Sequence, residues 1–214
     1  MPYLVRPYHH QDRSAVRRIA CDTADRGEPV EQFFRDREVF ADLVTGYYTE
    51  YEPESLWIAE HDGEVIGYLT GCLDSLRRER IMVWRIVPQV LGKAICRGVV
   101  FSRQTGRWII AGLRTQAQKA GPQLSLKDYP AHLHVNIQQP FRGQQLGRRL
   151  LEQFLHQVHA TGLKGVHATV RSDNPSSCRF FERAGFVLLN RQRVIFPYES
   201  SFLFHEKVIY GKRL

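Results

Sequence analysis

Apolar residues recur along this chain with two spacings, and the switches between them mark its elements. Ala15, Val16, Ile19 and Ala20 follow a polar Gln11–Ser14 start at helical spacing, and a second helix is expected from Glu31 to about Thr45. Leu146, Leu150, Leu151, Leu155 and Val158 predict the inner face of a helix running from Gln144 to about Ala160. Asn174 opens another helix that stops at Ala184-Gly185. Strands are predicted at Tyr3–Arg6, Leu56–Glu60, Val65–Thr70, Ala131–Gln138, Gly165–Val170, Phe186–Leu189 and Ser201–Tyr210. His61-Asp62-Gly63-Glu64 reads as a hairpin turn between two of them. Strands alternate with helices in the middle and pair as hairpins elsewhere, so the pattern predicts an α/β domain with a mixed sheet.

One stretch departs from the rest. Leu76–Lys127 carries eleven basic residues against a single acid, Glu79. Ile81, Trp84, Val87, Leu91 and Ile95 fall at helical spacing, as do Trp108, Ile109 and Leu113. Two basic amphipathic helices, interrupted near Gly98 and Gly106, are expected between strands, each with one face buried. Their charges could face an acidic acceptor, nucleic acid, an anionic membrane surface or only water. No known nucleic-acid-binding motif accompanies them.

The bulk numbers narrow the class without naming it. With 214 residues, the chain is expected to form one domain, 1–214, with the helical insertion at about 76–127. The 43% hydrophobic and 24% charged residues are ordinary for a globular protein. No apolar run approaches the length of a membrane span, and the first ten residues lack the apolar block of a signal peptide. Cys21, Cys72, Cys96 and Cys178 are widely spaced and form no redox or paired-ligand motif, so reduced thiols and a cytoplasmic location are expected. The net charge of +8 favours anionic ligands.

The densest chemistry lies between His132 and Gly147: His-Leu-His-Val-Asn-Ile-Gln-Gln-Pro-Phe-Arg-Gly-Gln-Gln-Leu-Gly. It reads as a strand, a basic turn with glycines and the start of a helix. That order builds an anion site, because the first amides of a helix have no partners within it and its dipole favours negative charge there. Gly143 and Gly147 let the backbone approach a ligand closely.

Arg142-Gly143-Gln144-Gln145-Leu146-Gly147 resembles the central signature of the GNAT superfamily of acetyl-CoA-dependent N-acetyltransferases: Gln or Arg, two residues, Gly, one residue, then Gly or Ala. Gln145 stands where the family usually has Gly. Downstream, Asn174-Pro175-Ser176-Ser177-Cys178-Arg179-Phe180-Phe181-Glu182-Arg183-Ala184-Gly185-Phe186 looks like the family's Asn…Phe-Tyr-Glu-x-x-Gly-Phe helix. The phrase Tyr129-Pro130-Ala131-His132-Leu133-His134-Val135-Asn136 is similar to a bacterial branch that also resembles the acetyltransferase-like domain of protein O-GlcNAcases.

The resemblance implies a GNAT-like mixed, mostly antiparallel central sheet flanked by helices, with the insertion between the third and fourth strands. It implies acetyl-CoA as cosubstrate and a small-molecule or protein amine as acceptor. Two strands would splay apart to admit the pantetheine arm, bonded near Val135, Asn136 and Ile137, in a strand that usually carries a bulge. Amides from Gly143 through Gln144, Gln145, Leu146 and Gly147 to Arg148 would hold the pyrophosphate beside Arg142. Asn174 and Ser177 would face the pantetheine, and Phe181 would border the sulfur. His134 sits where many members carry a glutamate base, with His132 on its face and Asp128 as a further candidate. Asp22, Asp25 and Glu28 would lie near the acceptor mouth, where carboxylates could hold a cationic amine; helix termination is their other reading. Phe181 stands where the family often has a tyrosine acid, so Tyr129 or another tyrosine substitutes, or the thiolate leaves unassisted.

Other readings of single residues are structural. His132 and His134 lack a third ligand, so no metal is expected. His156 and His159 read as a solvated helix face, and Cys178 as core packing rather than an acyl-cysteine. A non-catalytic acyl-CoA-binding or protein-interaction module is the alternative to the enzyme, and a homodimer is left open.

Overall fold

The computed structural model describes residues 3–25, 27–103, 105–107, 110–111, 124–198 and 201–214. Seven strands form one sheet in the order β1-β2-β3-β4-β5-β7-β6: β1 (Leu4–Pro7), β2 (Leu56–His61), β3 (Glu64–Cys72), β4 (Ala131–Ile137), β5 (Gly165–Arg171), β6 (Val187–Tyr198) and β7 (Ser201–Arg213). Every neighbouring pair is antiparallel except β4 with β5. Asp62 and Gly63 both take positive φ, 50° and 80°, which is the turn that matches the strand twist in a two-residue hairpin.

Helices cover both faces. On one lie α1 (Arg13–Asp22) and α2 (Arg37–Glu50), whose Val16, Ile19, Ala20, Tyr47 and Tyr48 pack with Leu56, Ile58, Tyr68 and Cys72 of the sheet. The second helix starts later than its apolar spacing suggests. A 3-10 turn at Val30–Gln32 intervenes, and the Asp36 carboxylate then caps α2 by accepting from the Val39 amide at 3.0 Å. The following helix, α3 (Ser75–Ile81), runs through a π-helical turn (Met82–Ile86) into α4 (Val87–Cys96).

Of the apolar stripe expected in this insertion, only Ile81 turns inward. Ile81, Met82, Ile86 and Val90 join the core around Tyr47 and Tyr48, while Trp84, Val87, Leu91 and Ile95 are exposed. The segment has two apolar faces, and as it packs, its basic side chains pair with carboxylates at and near the start of α2. The Lys93 ammonium bonds Asp42 at 2.6 Å and the Arg97 guanidinium bonds Asp36 at 2.6 Å. Part of the basic charge therefore stays within the protein. Trp108, Ile109, Leu113, Arg114 and Lys119, which carry the expected second helix, lie outside the described residues.

On the other face, α5 (Leu146–Ala160) buries Leu146, Leu150, Leu151, Phe154 and Val158 against Leu69, Leu133, Val166 and Ala168. Next to it, α6 (Pro175–Arg183) contributes Phe181, which stacks on Tyr210 and meets Phe186 edge-on. Gly71 is the contact that seats α5 on the sheet. A Cβ there would stand 2.1 Å from Cε2 of the fully buried Phe154. Gly71→Ala is expected to lower stability by about 1–3 kcal/mol through overpacking, read by urea unfolding. An unchanged midpoint would show that Phe154 moves freely.

Candidate active site

The site begins where the sheet opens. Strands β4 and β5 pair only through Ala131, His132 and Leu133 with Val166, His167 and Ala168. Beyond that they part, while β4 stays paired to β3 as far as Ile137 and β5 to β7 as far as Arg171. Alternate amides and carbonyls of the two inner edges therefore face a gap instead of a strand. The β3–β4 register is regular throughout, so β4 carries no bulge against β3, contrary to the expectation. Regular alternation puts His132, His134 and Asn136 on the α1/α2 face and Leu133 and Val135 on the α5 face.

A groove of about 1090 Å³ passes through this gap. Its walls are His134–Ile137, the loop up to α5, Thr169–Arg171 and one side of α6. Where the groove meets α5, the helix start is bare. Gln145 is its N-cap residue, with its carbonyl accepting from the Arg149 amide at 3.1 Å, but no side chain caps the helix. The amides of Leu146, Gly147 and Arg148 have no intrahelical partner. Gln145 holds φ +58° and ψ 9°, a left-handed conformation that favours glycine. Here glutamine adopts it at a cost of roughly 1–2 kcal/mol. Gln145→Gly relieves that strain, and the looser unfolded chain offsets about 0.4–1 kcal/mol of the gain. A net stabilisation of ~0.5–1 kcal/mol is expected in chemical denaturation; destabilisation would mean that the side chain itself supports the turn.

Gly143, at φ +83°, has nothing within 4 Å of a built Cβ, so only a ligand would meet a side chain there. At Gly147 a Cβ would sit 3.2 Å from Phe180 and 3.5 Å from Ile137, so this glycine sets how closely α6 approaches α5. Arg142 does not reach outward. Its Nε donates to the Ile137 carbonyl at 3.0 Å and its guanidinium lies over Gly27. Asn174 caps α6, its Oδ1 accepting from the Ser177 amide at 3.2 Å, and both residues line the groove. Phe181 borders it from the core. Arg148, Arg179 and Arg183 also line the groove around this end. The sequence motifs do not single out Arg179 and Arg183, although their four-residue spacing on α6 puts them on one face.

His134 projects into the opposite end of the groove, its ring open to the cavity and protein around the rest of it. Loss of solvent, followed by the charges of Arg78 and Lys207, holds its pKa below the ordinary histidine value. His132 shares its face but lies beneath it, buried and already satisfied. Ser75 donates to the Pro130 carbonyl at 2.6 Å, so its oxygen is left to accept from His132 Nδ1 at 3.2 Å. That assignment leaves Nε2 to accept from the Tyr48 hydroxyl at 2.7 Å. Burial, with His134, Arg78 and His167, lowers the His132 pKa well below its usual value. With both nitrogens occupied, His132 supports His134, whose ring centroid is 5.7 Å away, instead of meeting substrate.

The remaining candidates are not in reach. Asp128 precedes β4 at the closed end of the strand pair and faces Arg213 at 3.9 Å. The ring of Tyr129 lies over Gly165 and Gly211. Asp22 bonds Arg37, and Glu28 is exposed and forms an isolated bridge with Asp25. Asp25 does line the groove, but it accepts from Arg171 at 2.8 Å. Of the expected anchors for a cationic amine, Asp22 and Asp25 are therefore engaged with arginines, while Glu28 is exposed. Asn136 Nδ2 donates to Thr23 Oγ1 at 2.6 Å, tying β4 to the end of α1. All four cysteines are free thiols, and no metal-binding cluster occurs among the described residues. Nor is any helix among them long and apolar enough to cross a membrane.

A long groove with bare amides at one end, arginines around them and unpaired strand edges along its middle fits a nucleotide thioester with an extended arm. Comparison with known proteins agrees. Residues 106–186 match the model of the Acetyltransferase (GNAT) family, a span holding β4, the loop, α5, β5 and α6. The crystal structure of SsHAT is similar over 100% of this chain and 98% of its own, with 26% identity and a TM-score of 0.76. The structure of yncA from Salmonella typhimurium with its cofactor acetyl-CoA covers 99% of this chain and 94% of its own, at 14% identity and a TM-score of 0.60. The ribosomal-protein-alanine N-acetyltransferase from Brucella melitensis covers 99% of each chain, at 14% identity and a TM-score of 0.59. The last two likenesses speak for the fold alone. The match spans the elements that build the groove: over residues 106–186 the chain is similar to the GNAT acetyltransferases, and it carries their fold.

Proposed function

We propose that this protein transfers the acetyl group of acetyl-CoA to a primary amine by direct attack on the thioester, with His134 as general base. The observation that carries the reading is the parting of β4 from β5 beside the uncapped start of α5, with His134 on the acceptor side of the same groove. Acetyl-CoA supplies the activated acyl group. The amides from Gly143 to Arg148 hold the pyrophosphate, with Arg148, Arg179 and Arg183 adding charge around it. The inner edge of Val135–Ile137 bonds the pantetheine arm, Asn174 and Ser177 face it, and Phe181 borders the sulfur. One amide of that edge polarises the thioester carbonyl, a contribution of roughly 2.7–4 kcal/mol for a donor already aimed at the developing oxyanion.

The acceptor reaches the thioester from the α1/α2 face. An alkyl ammonium with a pKa of about 10.4 must lose a proton before attack, and neutral His134 accepts it directly or through one water. No tyrosine lines the groove among the described residues, and Phe181 has no proton to give. The thiolate therefore leaves unassisted, which its pKa of about 8.5 permits.

Two measurements test this reading. Isothermal titration with acetyl-CoA should show one saturable site per chain, and a thiol-release screen over primary amines should show turnover for at least one class. Binding without thiol release from any amine would favour a non-catalytic acyl-CoA module. Absence of binding at millimolar acetyl-CoA would remove the proposal altogether.

A further inference from the structure

Among the described residues, every carboxylate that lines the groove is matched to an arginine: Asp25 accepts from Arg171 at 2.8 Å, and Glu152 from Arg148 at 2.8 Å. On the His134 side, just outside the residues that line the groove, two cations have no ion pair with a carboxylate among the described residues, Arg78 and Lys207. The Arg78 guanidinium lies over the Tyr47 and Tyr48 rings, 6.0 and 5.5 Å from their centroids. It sits one turn after Ser75, which bonds His132, so α3 presents both residues to the histidines. Its Nε is buried with no hydrogen-bond partner, a costly arrangement for a cation. Lys207 stands opposite Arg171 in the β5–β7 register, on the sheet face that carries His134, and is half-buried. The nearest buried carboxylate to the Tyr47 ring, Glu52, already accepts from the Tyr47 and Ser55 hydroxyls and the Leu73 amide. Arg171 bonds Asp25 and Asp173, and His205 lies 3.6 Å from Asp173.

We propose that the acceptor carries an anionic group, a carboxylate or a phosphate, a few bonds from its amine, and that Arg78 and Lys207 receive that group and so select the substrate class. The inference rests on the acetyl-transfer reading above and adds the chemistry of the acceptor. It replaces the expectation that Asp22, Asp25 and Glu28 hold a cationic amine. Burial disfavours the charge on Lys207, a penalty that an arriving anion offsets. The same two cations act on His134 and would act on the acceptor ammonium, making its proton easier to remove. Polycationic acceptors are excluded for the same reason.

Product-like probes test the claim without requiring turnover. N-acetylglycine, N-acetyl-O-phosphoethanolamine and the neutral N-acetylglycinamide are titrated by calorimetry onto the protein saturated with coenzyme A. At least one anion should bind about tenfold or more tighter than the amide, as expected for one charge-assisted contact. The stronger of the two anions identifies carboxylate or phosphate as the natural group. The preference should fall to within about twofold in Arg78→Met and in Lys207→Met, and Arg78→Lys should retain most of it. Equal affinity for the amide, no binding of either anion, or a preference intact in both Met variants overturns the inference and leaves acetyl transfer standing. Faster acetylation of spermidine than of any anionic amine does the same. Failure of coenzyme A itself to bind overturns the reading beneath it.

Discussion

Gly143→Asp should abolish acetyl-CoA binding while leaving the protein folded. At φ +83° a side chain is strained, but aspartate is among the residues that tolerate the left-handed region, and a Cβ meets nothing within 4 Å. The cost to the fold is about 1–2 kcal/mol. The cost to the ligand is larger, because the new carboxylate competes with the pyrophosphate for the amides at the start of α5 and repels it. A loss of about 100-fold or more in affinity, ~2.7 kcal/mol, is expected by titration calorimetry, with far-UV circular dichroism unchanged. Undiminished affinity would move the diphosphate site away from this turn.

Removing the imidazole of His134 should act on turnover instead. His134→Ala is expected to lower kcat by about 10²–10⁴-fold, the usual yield of a positioned base, with little change in acetyl-CoA affinity. The pH dependence separates a base from a packing residue. The base form is the neutral ring, and desolvation with the nearby charges of Arg78 and Lys207 holds the pKa below the ordinary value of about 6.5. The ratio of wild-type to variant rates, in which titration of the acceptor cancels, should therefore be flat above pH ~6.5 and fall only below it. A ratio that stays flat to pH 4, or equal turnover in the two proteins, would remove His134 from the reaction.

The turn that carries these predictions was legible because its chemistry is local. A glycine at Gly143, a helix starting at Leu146 and a strand ending at Ile137 follow from neighbours in the chain. Even the departure at Gln145 changed only the cost of the left-handed turn, because the helix it precedes packs five apolar residues into the core. The pairing of the acidic loop was not legible, because it is not local. Asp25 meets an arginine 146 positions away, and no spacing rule connects them. His132 and His134 look alike along a strand; burial beneath Tyr48 and Ser75 separates a supporting ring from an open one. On α3–α4 two apolar stripes compete at helical period, and periodicity alone does not choose between them.

Read alone, the amino-acid sequence determined the order of elements, the strand–turn–helix that presents bare amides, and the family to which those motifs point. These are properties of backbone conformation and helix ends, set within a few residues. Only the tertiary structure decided where the sheet parts, which stripe of the insertion is buried, which carboxylates are spent on arginines, and that Lys207 shares the sheet face of His134. Burial and charge pairing are made between distant segments, so they exist only once the chain has brought those segments together.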